Sequence, residues 1–195
     1  MKLKLLFELK RKFIHLLSLL FILIYWAFLK KYSHEIGLLA LSFILLFFLV
    51  LDYFRIKKKM KIPIFHFLWR VKEKNKFGGN VFFIIGAIIS FAVFDFWIAL
   101  AALLMTTFGD MAAALIGMSF GKHRLKRQKN RTLEGIIAEF VVDLIIAYVL
   151  IDTLVIVFSM ALVATFVETK LEYIDDNLSI PVFAGFVGQI LKILI

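Results

Sequence analysis

The chain contains no cysteine and only two prolines among its 195 residues. The first absence excludes disulfides, thiolate metal sites and cysteine nucleophiles. The second removes the usual helix breaker and suits long uninterrupted helices. Acidic residues are also scarce, with 14 Asp and Glu against 24 Lys and Arg, a formal net charge of +10. Apolar residues dominate instead. Some 63% of the chain is hydrophobic, 23 residues of it Phe, where an ordinary soluble domain has about 45–50%. This composition reads as an integral membrane protein forming one domain over residues 1–195, all-α, built as a polytopic bundle of transmembrane helices. Its positive charge then reads as the Lys/Arg bias of cytoplasmic loops rather than as a nucleic-acid footprint, and nucleic acid is excluded as a partner. Phe13–Leu29 is a long apolar run with no small-residue cleavage site after it, so a span is expected there rather than a cleaved signal.

A spanning helix needs about 20 mostly apolar residues. Seven stretches qualify or come close: Phe13–Leu29, Ile36–Tyr53, Gly79–Phe94, Phe96–Met118, Ile136–Ile151, Thr153–Val167 and Leu178–Ile195. Two joins, at Asp95 and Asp152, are single polar residues within long apolar stretches, and the shorter spans fit a thin or tilted bundle. Charge sets the expected orientation. Five Lys/Arg precede the first span, nine lie in Phe54–Gly78 and six in Ser119–Gly135, whereas the alternate connections hold Lys30 and Lys31 and otherwise none. With about seven spans every basic segment falls on one side, which places the N-terminus and those loops in the cytoplasm, the membrane being the plasma membrane. The acidic loop Glu168–Asn177 then shares that face. Within Phe54–Gly78, Phe65, Phe67, Leu68 and Trp69 alternate with Lys61, Arg70, Lys72 and Lys74, as in an amphipathic helix lying among membrane-lipid headgroups.

The stretch that points to chemistry runs from Thr107 to Gly135. Asp110 follows an apolar run, where a carboxylate is costly unless something pairs with it. Gly109, Ala113 and Gly117 recur every four residues, a small-residue stripe that admits a close helix neighbour and permits homo-oligomers. Gly117 and Gly121 flank the end of that helix, where glycine allows close ligand approach. The loop that follows carries Lys122, Arg124, Lys129 and Arg131 and closes at Thr132, a candidate N-cap. A helix start preceded by Lys129 and Arg131 is a ready phosphate site. Glu134 either complements the helix dipole or holds a divalent cation or a nucleotide hydroxyl. Glu139 and Asp143, one turn apart in an apolar helix, face the interior as structural partners or as cavity lining. Glu168, Asp175, Asp176 and Asn177 are either a plain exposed acidic loop or a set of oxygen ligands of the kind Mg²⁺ favours, on the same face as the basic loop. Glu8, Arg11, Lys12 and His15 fall on one helical stripe.

These segments together resemble the CTP-dependent lipid-alcohol kinases, the family of dolichol kinase, phytol kinase and CTP-dependent diacylglycerol kinase. Asp110, Ala113 and Gly117 match its D-x-x-A-x-x-x-G pattern, and Asn130-Arg131-Thr132-Leu133-Glu134-Gly135 stands where the family has K-K-T-x-E-G. The lysine pair is thus Asn and Arg here, with Lys129 one position upstream. Glu8, Arg11, Lys12 and His15 match an N-terminal E-x-x-R-K-x-x-H element, and Asp176, Asn177, Leu178, Ile180 and Pro181 match a late D-N-L-x-I-P element. Arg70 and Glu73 before Gly78 and Gly79 resemble a further segment. The resemblance implies one integral-membrane kinase domain that transfers the γ-phosphate of CTP, with Mg²⁺, to the hydroxyl of a long-chain lipid alcohol such as dolichol, polyprenol or phytol. It implies catalytic and metal roles for Asp110, Glu134 and Asp176, with Asp110 as base or as metal ligand. Gly117, Gly121, Lys122, Arg124, Lys129, Arg131, Thr132, Gly135 and Asn177 would bind nucleotide. Phosphatidate cytidylyltransferases share the central core and also use CTP, but they add a late histidine element, and this chain has no histidine after His123. Cytidylyl transfer is therefore the alternative reading. A non-enzymatic transporter or scaffold is the third, and it would leave the three carboxylates without a task.

Overall fold

The structure, a computed structural model, describes residues 16–59, 76–125, 131–171 and 173–195. These residues form a bundle of seven helices. A single 3₁₀ turn, Leu16–Ser18, leads into α1 (Leu19–Lys31), followed by α2 (His34–Lys58), α3 (Gly79–Val93) and α4 (Phe96–Phe120). The chain continues through α5 (Leu133–Leu150), α6 (Leu154–Lys170) and α7 (Asp176–Leu194). Each overlaps one of the seven apolar runs. Three of them, α2, α4 and α7, are long and apolar enough to cross a membrane.

Polar residues at the joins set where the helices begin. Ser33 Oγ accepts from the Ile36 N–H to start α2, and Asp95 Oδ1 accepts from the Trp97 N–H to start α4. Thr132 Oγ1 accepts from the Gly135 N–H at 3.2 Å, so the expected N-cap of α5 is present. Asp175 Oδ1 caps α7 through the Asn177 N–H at 3.1 Å. Each cap satisfies one of the donors that a helix start leaves open. Asp95 and Asp152 are true joins despite their apolar surroundings: helices end within a residue or two on either side of both.

The connections of two or three residues between α1 and α2, α3 and α4, and α5 and α6 make those neighbours antiparallel. In consequence Lys58, Gly79, Phe120, Leu133, Lys170 and Asp176 lie at one end of the bundle. At the opposite end Lys192 pairs with Asp95 at 2.8 Å, beside a hollow of about 160 Å³ lined also by Asp152 and Thr153. The centre is filled by Leu41, Phe83, Leu103, Met160, Ile180 and a set of alanines, among them Ala99, Ala101, Ala102, Ala161 and Ala164. Small side chains let α4, α6 and α7 approach closely. Phe43 and Leu46 of α2, and Ile145, Tyr148 and Val149 of α5, face outward. An apolar exterior of this kind suits lipid.

A buried ion pair fastens α2 to α3. Arg55 Nη2 lies 2.8 Å from Asp52 Oδ1, and Asp52 Oδ2 accepts from the Gly78 N–H at 2.7 Å. Arg55 also donates to the Lys76 carbonyl. The expected span ended at Tyr53, whereas α2 runs on to Lys58.

Candidate active site

The site begins with a local irregularity in α4. Residues Met105–Gly109 form a π-helical turn, and Asp110 is the next residue. A π turn inserts about one extra residue into the ladder, so everything after it is rotated by roughly 100° relative to a continuous α-helix. The hydroxyls of Thr106 and Thr107, both buried, donate to the carbonyls of Ala102 and Leu103 at 2.9 and 3.2 Å and tie the wide turn to the helix before it.

Beyond the turn, α4 packs on the start of α5 through the small-residue stripe. A Cβ added at Gly135 would stand 2.7 Å from the Ala113 carbonyl oxygen, and one at Gly117 would stand 2.9 Å from Thr132 Oγ1. The close helix neighbour expected of the stripe is therefore α5 of the same chain. Gly109 plays the same part against Asp143, whose Oδ1 would lie 2.5 Å from an added Cβ.

This packing brings carboxylates from four helices together. Asp110 of α4, Glu168 of α6 and Asp176 of α7 each offer an oxygen within 4.8 Å of the others. Glu168 is buried, and Asp110 and Asp176 are half-buried. Glu139 and Asp143 of α5 stand deeper, each 1% exposed. Arg131, at the mouth, places Nη1 3.1 Å from Glu168 Oε1 and 3.9 Å from Glu139 Oε2. Glu168 Oε2 is buried and has no hydrogen-bond partner, and the same holds for Glu139 Oε2 and Asp143 Oδ1. Such groups are expensive unless a cation or a proton compensates them. A hard divalent cation fits this donor set: Mg²⁺ is bound by one or two carboxylates, with waters and substrate phosphates completing its shell. Asp110, Asp176 and Glu168, which keeps a second oxygen free of Arg131, are the residues suited to hold it.

Glu134 stands elsewhere. Its carboxylate accepts from the backbone N–H groups of Lys122 and His123 at 3.1 and 3.2 Å and is 2.8 Å from His123 Nδ1. The backbone N–H at its own position, the His123 side chain and these two N–H groups hold it down at about 2. Antiparallel pairing of the two loop limbs completes the clasp, with Leu125 N–H donating to Arg131 C=O at 3.1 Å and Leu133 N–H to His123 C=O at 2.9 Å. Arg124 bridges to Thr132 within it. Lys122 and Arg124 are exposed. Of the carboxylates expected at the site, Asp110 and Asp176 thus meet, while Glu134 shapes the basic loop that carries Arg131.

The third carboxylate at the cluster, Glu168, reads from the sequence as a member of the acidic loop and is not among the residues that the family motifs mark. It belongs to α6, which continues to Lys170, and α7 starts at Asp176 rather than Leu178. The signal for it was a glutamate closing an apolar run at the same end as Asp110. Asn177 is buried, and its Nδ2 donates to Asp175 Oδ1 at 2.7 Å. Gly117, Gly121, Thr132 and Gly135 form the neck of the α4–α5 hairpin, Gly121 against the Thr132 side chain. Lys129, Glu8, Arg11, Lys12, His15, Arg70 and Glu73 lie outside the described residues.

Comparison with known proteins gives the chain's relatives. The model of the cytidylyltransferase family matches residues 3–176. The chain is 32% identical over 127 residues to CTP-dependent diacylglycerol kinase 1 of Saccharomyces cerevisiae, covering 61% of this chain and 42% of that protein. It is 35% identical over 82 residues to the protein of the same name in Schizosaccharomyces pombe, 42% of this chain and 38% of the relative. An uncharacterized protein of Methanocaldococcus jannaschii is 33% identical over 135 residues, 67% of this chain and 69% of its own length. The chain spans less than half the length of the two yeast kinases. No solved structure matches it. The match takes in Asp110, Glu134, Glu168 and Asp176, and the chain belongs to the cytidylyltransferase family.

Proposed function

We propose that this chain is a CTP-dependent lipid kinase, which transfers the γ-phosphate of CTP to the hydroxyl of a membrane lipid with Mg²⁺ at the three-carboxylate cluster. The observation that carries the reading is the meeting of Asp110, Glu168 and Asp176 within 4.8 Å, with Arg131 on Glu168. Phosphoryl transfer asks for positioning and charge neutralisation more than for covalent catalysis. Bound by these carboxylates, Mg²⁺ would offset charge on the transferring phosphate. The chain's own cations, Arg131 at the mouth with Lys122 and Arg124 on the loop and Lys129 nearby in sequence, would draw the triphosphate in. Asp110, at the half-buried edge, serves either as a metal ligand or as the acceptor of the hydroxyl proton. Glu134 contributes by holding the loop.

The acceptor is a lipid alcohol whose tail stays among the helices. A polyisoprenoid alcohol such as dolichol, polyprenol or phytol follows from the sequence resemblance, and diacylglycerol is what the yeast relatives' names state for those proteins. The positive-inside pattern supports seven spans, with the site's end of the bundle in the cytoplasm and the chain in the plasma membrane. The small-residue stripe is taken up inside the chain and lends no support to a homo-oligomer.

The test is purified full chain in lipid nanodiscs with γ-labelled CTP and Mg²⁺, offered polyprenol, phytol and diacylglycerol in parallel. Label in a lipid phosphate supports the kinase, and the productive acceptor names the substrate. The family description favours one second reading, cytidylyl transfer. That reaction would leave a CDP-lipid and pyrophosphate, and thin-layer separation of the products decides between the two. No transfer of either kind, with no binding of CTP and Mg²⁺, would leave the transporter or scaffold reading.

A further inference from the structure

Arg131 and a divalent cation held by Asp110, Glu168 and Asp176 would share one carboxylate. The guanidinium takes Glu168 Oε1 at 3.1 Å, while Oε2 stays buried without a hydrogen-bond partner. Arg131 itself is 28% exposed, so it reaches from the mouth inward rather than lying sealed in the core. Its second neighbour, Glu139 Oε2 at 3.9 Å, is too far for a hydrogen bond and ties it only weakly. Two cations on opposite oxygens of one buried carboxylate repel strongly, because little water intervenes. A polyphosphate entering at the mouth reverses the balance. It gives the guanidinium an alternative bidentate partner and puts negative charge between the two cations.

We infer that Arg131 couples the two ligands of this site: without a polyphosphate it keeps the carboxylates poor at binding a free divalent cation, and with one it becomes the hand that holds it. The inference rests on the metal–nucleotide reading given above and adds a sign to it. Loss of Arg131 should strengthen binding of the bare cation while weakening binding of the nucleotide. A residue that merely orients Glu168 would give the opposite sign for the cation. Because coupling is reciprocal, the factor by which nucleotide tightens the cation equals that by which the cation tightens the nucleotide.

The probe is Mn²⁺ alone, titrated by electron paramagnetic resonance into the full chain in nanodiscs, followed by CTP binding in equilibrium dialysis at matched free Mn²⁺ and without lipid acceptor. Arg131→Gln is expected to bind Mn²⁺ roughly tenfold tighter or more than the parent, given the strength of such repulsion at low dielectric, and to bind CTP more weakly. Arg131→Lys, which keeps the charge, should bind Mn²⁺ like the parent. Equal or weaker Mn²⁺ binding in Arg131→Gln overturns the inference, as does a lysine variant that binds as tightly as the glutamine one. If Arg131→Gln does not fold, the parent decides: CTP affinity must rise about tenfold with Mn²⁺, and indifference to Mn²⁺ overturns the coupling. A parent chain that binds no Mn²⁺ even with CTP present removes the cation site and both readings with it. Equal affinities in parent and variant remove only this one.

Discussion

Replacing Gly109 by alanine tests the aim of Asp110 without altering any charged group. The added Cβ would stand 2.5 Å from Asp143 Oδ1, 3.2 Å from its Cγ and 3.3 Å from Oδ2. Ordinary van der Waals contact begins near 3.4 Å, so 3.4 minus 2.5, about 0.9 Å, has to be found. Asp143 is 1% exposed and has no solvent side to swing into. The backbone of Gly109 must therefore give way, and the neighbour that moves with it is Asp110. Overpacking of this size costs about 1–3 kcal/mol of stability. A displacement of about 1 Å in a reacting constellation can cost about 100-fold in rate. The expected result is a chain that remains folded in nanodiscs, with a modestly lower unfolding temperature, and transfers phosphate from CTP roughly 100-fold more slowly. Asp143→Ala in the same chain removes the obstacle, so the double variant should regain most of what Gly109→Ala loses relative to Asp143→Ala alone. Undiminished transfer by Gly109→Ala, with Asp143 intact, would refute the argument that this contact aims Asp110.

The other expectations concern single groups. Asp110→Asn should lower transfer by at least about 100-fold and weaken Mn²⁺ binding, with helicity by circular dichroism unchanged; retained transfer would remove Asp110 from the centre of the site. Asp52→Ala strands Arg55, only 11% exposed, and takes the acceptor from the Gly78 N–H; breaking a buried pair by removing one partner costs about 3–5 kcal/mol. Denaturant unfolding should show that loss while the KM for CTP stays within about twofold, since substitutions far apart are nearly independent. A loss below about 1 kcal/mol would show that the pair behaves as an exposed one. Glu134 is held at about 2 in the folded chain, below its ordinary value of 4.5. Its folded value is the lower one, so its contribution is complete above pH 4.5 and is lost as the pH falls from there toward 2. Amide exchange at Lys122 and His123 should accelerate, relative to distant amides, within that window and not between pH 7 and 5. Glu134→Gln should show the faster exchange already at pH 7.

Much of the fold was legible because seven apolar runs alternate with polar joins, and length and hydrocarbon content alone fix helices of that kind. Even the single residues Asp95 and Asp152 proved to be real joins, as helix caps or turns do not need a run of polar residues. Asp110 and Asp176 were legible as residues of the candidate cluster because a carboxylate beside an apolar run stands out at any scale of averaging. Glu134 and Glu168 exchanged places for a reason that local sequence does not carry. Glu134 lies in the same motif as Arg131, yet the backbone N–H groups of Lys122 and His123 point at it once the loop limbs pair. Glu168 comes from another helix and reaches Asp110 through the packing of α5 on both α4 and α6 and of α6 on the π turn. The π turn is invisible as well, since Met105–Gly109 reads as ordinary apolar helix. Asp52 was hidden within an apolar run although its spacing of three from Arg55 was there to be read.

Asp110 is not at the end of its helix. Phe120 lies ten positions further on, which at 1.5 Å per residue sets Asp110 roughly 15 Å below the end of α4. The polarity is graded along that distance, from exposed Lys122 and Arg124 on the loop, through partly exposed Arg131, to Glu168 and the sealed pair Glu139 and Asp143. A water-soluble triphosphate and a lipid hydroxyl share no common solvent, and they can meet only where such a gradient passes through the membrane boundary. In the proposed reaction, cations at the rim would raise the local concentration of the anion, while the carboxylates below it, at low dielectric, would hold a metal most strongly where water is scarce. Water is the competing acceptor in phosphoryl transfer, so the recess would favour the lipid hydroxyl over hydrolysis. Opening the recess by substituting Thr132, whose hydroxyl caps α5 and whose side chain packs on Gly117 and Gly121 at the neck, should therefore raise CTP hydrolysis relative to lipid phosphorylation. Thr132→Ala with an unchanged ratio of the two products would mean that depth along the hairpin does not govern the partition.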